Sequence, residues 1–151
     1  MADQLTVLNP NWPQEEIPKG SIFFYRVPKG WLRPDKALHP FVFRENAGSM
    51  SVDWDRYSTA TETRSRRGRP ERFAVVQLPS DSVDKIRLLT SKHEPMFRPD
   101  LDPPDINRSH CAIYGIEVPP GVSELGYKER VQLELYEAAG KTWIIPPDSP
   151  T

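Results

Sequence analysis

Two histidines and the single cysteine of the chain flank one proline-rich loop. His93 precedes this loop, and His110 and Cys111 follow it directly. An imidazole ring changes its charge near neutral pH, so it can act as an acid, a base or a ligand-binding group. If the segments on either side of the loop meet in the fold, both rings share one site. The sequence therefore makes His93 and His110 candidate catalytic residues, and Asn107 of the same loop a candidate ligand-binding residue.

The same residue types also bind zinc, but their spacing argues against a metal. Zinc sites usually carry patterns such as CxxC or HExxH, and the sequence contains neither. No feature of the sequence around Cys111 favours a thiolate, so we expect a buried structural cysteine. We predict no metal site. For each histidine, the alternative to catalysis is a structural role in which the ring binds a backbone carbonyl at a loop end.

Five arginines lie close together at positions 64, 66, 67, 69 and 72. Guanidinium groups bind phosphates through paired hydrogen bonds, and the flanking Tyr57 and Phe73 could stack on bases. Arg66 and Arg67 are therefore candidate ligand-binding residues. The alternative is a solvated surface loop, because five arginines do not make a basic face in a chain whose formal net charge is −1.

A third candidate site combines an arginine on one predicted strand with a Ser-Thr pair that follows another. Arg26 lies near the end of the first predicted strand, and Ser58 and Thr59 come shortly after the segment SMSVDW. An arginine and two hydroxyl groups could bind an anionic or dinucleotide ligand. In the alternative interpretation, Arg26 simply ends a core strand, and Ser58 or Thr59 caps a short helix.

Two resemblances bear on these residues. Tyr25-Arg26 with Ser58-Thr59-Ala60 is similar to ADP-ribosyltransferase-type folds, in which an early Arg or His and a Ser-Thr-Ser pattern hold NAD. In that family a later acidic residue acts in catalysis, and the acidic residues available here are Glu124, Glu129 and Glu134. This chain departs from the pattern at its third position, which is alanine.

The second resemblance covers more of the chain. The segments FYR, SMSVDW, RYST, HEP and NRSHCAIYG resemble small bacterial proteins of unknown function. Those proteins share a Ser-Val-Asp-Trp segment and a His-x-x-Ile-x-Gly segment. The resemblance implies a bacterial origin, and it implies no particular activity.

Length and composition favour one globular domain built from short elements. The chain has 151 residues, with 17 prolines against 8 glycines. Proline removes a backbone donor and interrupts helices and central strands, so we expect short elements and stiff loops. We predict a single domain over residues 1–151, with an extended arm at 1–20 and a frayed tail at 146–151. One cysteine, no leader pattern and no apolar run of about 20 residues favour the cytoplasm and no membrane partner.

The apolar patterns predict an α+β fold, with a mixed, mostly antiparallel sheet of short strands, one or two short helices and long Pro-rich loops. In the predicted central strand Ser21–Val27, alternation places Arg26 and Phe24 on one face and Tyr25 on the other. Further predicted elements are the strands Phe41–Phe43, Ser49–Trp54, Phe73–Leu78, Cys111–Val118 and Trp143–Ile145, and helices within Ser58–Glu62, Ser80–Leu89 and Lys128–Ala139. A strand at Ile86–Thr90 competes with the second helix, and Gly115 indicates a bulge or a close backbone approach.

Missing motifs narrow the function. The chain has no GxGxxG, Walker A or GxSxG pattern, which disfavours Rossmann dehydrogenases, nucleotide kinases and α/β-hydrolases. Our first hypothesis is binding of an anionic ligand, a nucleotide or nucleic acid, through arginine and histidine side chains. The second is an enzyme in which His93 or His110 performs acid–base chemistry, of the ADP-ribosyl-transfer type. The third is a module that docks a protein partner through tryptophans and arginines. The sequence identifies no cofactor and no oligomeric state.

Overall fold

A five-stranded antiparallel sheet forms the body of the domain. The computed structural model describes residues 12–122 and 125–151. Its strands are β1 Ile22–Pro28, β2 Met50–Trp54, β3 Phe73–Pro79, β4 Thr90–His93, β5 Met96–Arg98, β6 Asp105–Asn107 and β7 His110–Tyr114. The large sheet has the order β3-β1-β2-β7-β4, and β5 pairs with β6 in a separate two-stranded sheet. The helices are α1 Ala60–Ser65, α2 Ser80–Asp84 and α3 Tyr127–Ala138. The predicted α+β fold of short, mostly antiparallel strands is confirmed.

One face of the large sheet carries the hydrophobic core. Phe23, Tyr25 and Val27 of β1 are buried on this face, as the alternation predicted. Helix α3 contributes Val131 and Leu135 to the same core, and both are fully buried. Burying one such apolar side chain is worth roughly 1.5–3 kcal/mol, so this face provides much of the folding free energy. The same core includes Met50, Val52, Trp54, Val76, Leu78, Cys111 and Ile113.

The second face of the sheet carries polar groups. Phe24 of β1 lies opposite Asp53 of β2, and Asp53 lies opposite His110 of β7. Residues that pair directly across strands point to the same face, so these three side chains form one row. Within the described chain, the pairing of β1 with β2 covers only Phe23–Trp54 and Phe24–Asp53. We infer that the two strands separate beyond this point, which leaves a gap on the polar face.

Several predicted elements differ from the structure. Residues Phe41–Phe43 do not form a strand: Pro40–Val42 is a 3₁₀ turn, and proline at its first position favours that geometry. The predicted strand Trp143–Ile145 is reduced to a single bridge between Ile145 and Val75. The competing strand Ile86–Thr90 is displaced along the chain to Thr90–His93. Helix α1 begins after Thr59, whose side chain accepts a hydrogen bond from the N–H of Glu62, so Thr59 is the cap of the two residues that the sequence allowed.

The described residues of the predicted arm and the predicted tail differ in how they contact the domain. Of the predicted arm, residues 12–18 have no helix or strand, and Leu5, Val7 and Leu8 lie outside the described residues. The tail at residues 146–151 is held by Arg64, which donates hydrogen bonds to the carbonyl groups of Ser149 and Pro150. In the part of the chain that the structure describes, no helix has the length and apolar character needed to cross a membrane.

Candidate functional site

A cleft of about 390 Å³ opens on the polar face of the sheet, where β1 and β2 separate. We call it the β1–β2 cleft. Tyr25 and Val52 contribute to its lining although their side chains belong to the core on the other face. The cleft must therefore reach down to the backbone between the two strands. Its volume lies within the range of roughly 300–1,000 Å³ that is typical of small-molecule sites.

The lining of the cleft is rich in guanidinium groups. Arg26 comes from β1, Arg66 and Arg67 follow helix α1, and Arg44 lies in the loop before β2. Among the described lining residues, these four positively charged guanidinium groups outnumber the two carboxylates, which belong to Asp53 and Asp105. The cleft thus has a net positive charge even when His110 is neutral. Such a lining favours an anion over a cation.

Asp53 organises the floor of the cleft. Its carboxylate is buried and accepts hydrogen bonds from Thr63 Oγ1 at 2.8 Å, Arg66 Nε at 2.9 Å and Asn107 Nδ2 at 2.7 Å. Asn107 in turn accepts hydrogen bonds from the backbone N–H and the hydroxyl group of Ser109. One carboxylate therefore joins β2, helix α1 with its following residues, and the end of β6. Because these contacts satisfy the buried charge, the floor is rigidly defined.

Aromatic rings support two of the arginines. The guanidinium of Arg26 lies 4.1 Å from the centre of the Phe73 ring, and that of Arg44 lies 4.1 Å from the centre of the Trp31 ring. Arg26 also donates a hydrogen bond to the carbonyl of Arg66. Burial lowers the pKa of Arg26 and nearby Asp53 opposes this shift, but a guanidinium remains charged in proteins. Both arginines thus present fixed positive charge beside a flat apolar surface.

His110 lies in the cleft and contacts a serine there. Its Nδ1 atom is 2.8 Å from the backbone carbonyl of Glu94, and its Nε2 atom is 3.1 Å from Ser51 Oγ. A carbonyl can only accept, so Nδ1 carries the proton and the hydroxyl of Ser51 donates to Nε2 when the ring is neutral. The ring is therefore oriented by the backbone, with its lone pair directed at a hydroxyl group.

The structure does not bring the two histidines together, so the expectation of one shared site is wrong. His93 pairs directly with Cys111, and His110 is the residue before Cys111 on the same strand. The two rings therefore point to opposite faces of the sheet, because successive residues of a strand alternate. His93 is buried against Trp54, with ring centres 5.1 Å apart.

Both nitrogen atoms of His93 contact the backbone. Nδ1 accepts a hydrogen bond from the N–H of Glu15 at 3.0 Å, and Nε2 lies 2.6 Å from the carbonyl oxygen of Arg108. This pattern defines a neutral ring that donates through Nε2. His93 therefore holds the segment around Glu15 and the residues before β7 in place, which matches the structural alternative.

The remaining candidates from the sequence divide between the cleft and its supports. Arg26, Arg66, Arg67, Asn107 and His110 all line the cleft. Ser58 is absent from that lining: its buried hydroxyl accepts a hydrogen bond from Arg66 Nη2 at 3.0 Å. Thr59 is likewise absent from it and caps helix α1. The Ser-Thr pair therefore supports the wall of the cleft from behind.

The arginine segment has no single role. Arg64 is buried, Arg66 pairs with Asp53, and the exposed Arg67 donates to the carbonyl of Pro103 at 3.0 Å. Arg69 and Arg72 are exposed and do not line the cleft. The arginine segment 64–72 therefore supports one wall of the cleft and does not form a uniform basic surface.

Ser51 and Asp53 are candidate site residues that the sequence patterns did not single out. Both lie on β2 and line the cleft. Their signal is present in the segment SMSVDW, whose polar positions alternate with Met50, Val52 and Trp54. The polar face of a half-buried strand usually contacts solvent. The sequence alone therefore does not show whether these polar side chains lie on an ordinary solvated face or form the floor of a site.

The cysteine lies outside this chemistry. Cys111 is buried in the core face of the sheet, and burial raises the pKa of its thiol to about 12. It therefore stays protonated near neutral pH and is a poor nucleophile. In the described residues, no group of three or more His, Cys, Asp and Glu side chains is arranged to hold a metal ion.

A larger and more open depression of about 730 Å³ lies beside the arm and β4. Its described lining includes the acidic residues Glu15, Glu16 and Asp84, together with Lys92 and the buried His93. The charge of this surface is negative, so an anion is disfavoured there. The β1–β2 cleft remains the better candidate for the site that the sequence led us to expect.

We compared the chain with models of known protein families, with curated proteins and with solved structures. None of the three comparisons finds a match.

Proposed function

We propose that the protein binds a small anionic ligand with a phosphate group, of the mononucleotide class, in the β1–β2 cleft. The observation that carries this proposal is the presence of Arg26, Arg66, Arg67 and His110 in one cleft of net positive charge. Arginine pairs with phosphate oxygens through two parallel N–H donors, and such charge-assisted bonds are stronger than neutral ones.

Two further features support a nucleotide over inorganic phosphate. The guanidinium of Arg26 lies on the Phe73 ring and that of Arg44 on the Trp31 ring, and a planar base can stack on such guanidinium planes. The volume of about 390 Å³ matches a small molecule. A long nucleic acid is less well supported, because the chain has a formal net charge of −1 and Arg69 and Arg72 lie outside the cleft.

Charge reversal at Arg67 provides a direct test. Arg67 is exposed and lines the cleft, so Arg67→Glu should leave the fold intact and repel a phosphate. We expect AMP to bind the wild-type protein, and the variant to bind it about tenfold or more weakly, since a charge-assisted contact is worth about 1.5–3 kcal/mol. Isothermal titration calorimetry at fixed ionic strength measures both affinities.

Arg72→Glu is the matched control, because it makes the same change of charge in the same segment but away from the cleft. Its affinity for AMP should stay within about threefold of the wild-type value, since exposed charges at a distance are screened by salt. Adenosine, which lacks the phosphate, should bind more weakly than AMP. Equal loss in the two variants, or equal binding of adenosine and AMP, would contradict the proposal.

An enzyme that uses His110 is the second candidate function. The observation that favours it is the position of His110 Nε2, which lies in the cleft 3.1 Å from Ser51 Oγ. The ADP-ribosyl-transfer version of this hypothesis would use NAD as the ligand of the same cleft. Titration with NAD as well as AMP tests this version separately from other chemistry at His110, because ADP-ribosyl transfer requires NAD to bind.

A further inference from the structure

We infer that Ser51 is a nucleophile, activated by His110, that attacks the phosphorus atom of a phosphate ester bound in the β1–β2 cleft. This inference rests on the proposed function, because it takes the bound anion to be the substrate. The carrying observation is a Ser51–His110–carbonyl chain, with distances of 3.1 Å and 2.8 Å, that ends in the cleft.

Ser51, His110 and the Glu94 carbonyl are arranged as in a site with an activated nucleophile. The Glu94 carbonyl accepts the Nδ1 proton of His110, so the neutral ring has a lone pair at Nε2. The hydroxyl of Ser51 donates to that lone pair. A hydroxyl, a base within hydrogen-bond reach and a third group that orients the base form the arrangement that nucleophilic catalysis needs. Here a backbone carbonyl orients the base.

The contact between Ser51 and His110 is not a consequence of direct pairing in the sheet. Ser51 lies opposite Ala112, and the residue opposite His110 is Asp53. The carboxylate of Asp53 accepts hydrogen bonds from Thr63, Arg66 and Asn107. His110 is instead bonded to its diagonal neighbour Ser51, which is exposed and borders the cleft.

The reaction balances without a further reagent except water. Ser51 Oγ forms a bond to phosphorus as the bond to the leaving oxygen breaks, and the serine proton moves to His110 Nε2. The leaving oxygen departs on the side of phosphorus opposite Ser51 and takes a proton from water, to which His110 returns the proton that it holds. Water attacks the phosphoserine, gives one proton to Nε2, and Ser51 regains a proton as the Oγ–P bond breaks. The guanidinium groups of Arg26 and Arg67 would balance the charge on the phosphoryl oxygens.

Covalent labelling tests the nucleophile without knowledge of the natural substrate. A fluorophosphonate probe forms an Oγ–P bond and releases fluoride, and peptide mass spectrometry identifies the labelled residue. We expect one adduct on Ser51 of the wild-type protein and none on this peptide in Ser51→Ala. His110→Ala should slow labelling about 100-fold, because a positioned base contributes about 10²–10⁴. Circular dichroism confirms that each variant is folded.

Ser49→Ala is the matched control, since Ser49 immediately precedes β2 and lies outside the described lining of the cleft. It should label Ser51 at the wild-type rate. An adduct spread over several serines, or a rate unchanged in a folded His110→Ala variant, would overturn the inference. AMP added to the wild-type protein separates this inference from the proposed function. If AMP does not slow the labelling of Ser51, the nucleophile is supported and nucleotide binding in the cleft is contradicted. If AMP binds but no Ser51 adduct forms, nucleotide binding is supported and the nucleophile is contradicted.

Discussion

Asp53 joins three segments of the chain through one buried carboxylate. Its partners are Thr63 on helix α1, Arg66 after that helix, and Asn107 at the end of β6. Removing one member of a buried, hydrogen-bonded ion pair leaves the other member without its partner and is strongly destabilising. At the scale of a residue, the integrity of the cleft therefore depends on this carboxylate.

We predict that Asp53→Asn lowers the free energy of unfolding by about 3 kcal/mol, because it replaces an acceptor oxygen with a donor facing other donors. Asp100→Asn is the control: Asp100 also lies 2.9 Å from an arginine, Arg98, but both side chains are exposed. That change should lower the free energy by less than about 1 kcal/mol, as exposed ion pairs contribute little. Urea denaturation measures both values, and similar losses would contradict the role given to Asp53.

At the scale of elements, the end of β7 controls how the sheet meets the segment before β4. Gly115 follows β7 with φ +101°, a conformation that favours glycine. A Cβ atom there would lie 2.6 Å from the backbone oxygen of Leu88. The carbonyl of Gly115 also accepts a hydrogen bond from Tyr127 Oη at 2.8 Å, which fixes the start of α3. The close approach predicted at Gly115 is confirmed.

Gly115→Ala should therefore destabilise the protein by about 3 kcal/mol, because a backbone clash is added to the usual penalty for a left-handed residue. Gly140→Ala separates the two effects. Gly140 also has a positive φ, +71°, but a Cβ atom there would meet no atom within 4 Å beyond its own chain neighbours. It should lose only about 1–2 kcal/mol. Thermal and urea denaturation of the two variants compare them, and equal losses would mean that the Leu88 contact relaxes at no energetic penalty.

At the scale of the whole molecule, the sheet separates two tasks. Its apolar face packs against α3 and forms the core, while its polar face carries the β1–β2 cleft. Arg64 links helix α1 to the start of β3 and to the C-terminal tail. Its guanidinium is buried and donates to the carbonyl groups of Phe73 at 3.0 Å, Pro150 at 3.1 Å and Ser149 at 2.8 Å.

We predict that Arg64→Lys lowers the free energy of unfolding by about 2 kcal/mol, although the charge is kept. A single ammonium group cannot replace a planar fork that reaches three carbonyl groups, so a buried cation loses some of its charge-assisted hydrogen bonds. Arg72→Lys, at an exposed position of the same segment, should change the free energy by less than about 0.5 kcal/mol. Chemical denaturation provides the comparison. If Arg64→Lys proves as stable as Arg72→Lys, Arg64 does not anchor the tail.

The sequence by itself determined part of the local structure. Apolar alternation identified β1 and β2 and the face to which Arg26 points, Thr59 marked the start of α1, and Gly115 marked a close approach. These features depend on periodicity and backbone conformation, which neighbouring residues define. Asn107 and His110 were identifiable as polar groups, but nothing local connects them with Arg26.

Only the tertiary structure decided which of these groups meet. The order β3-β1-β2-β7-β4 places Arg26, Ser51 and His110 on one cleft. The register that pairs His93 with Cys111 turns His93 into the core, whereas a shift of one residue would have turned it to the polar face. Register depends on contacts between segments far apart in the chain, and the strand Thr90–His93 has no apolar alternation that would define the face to which His93 points.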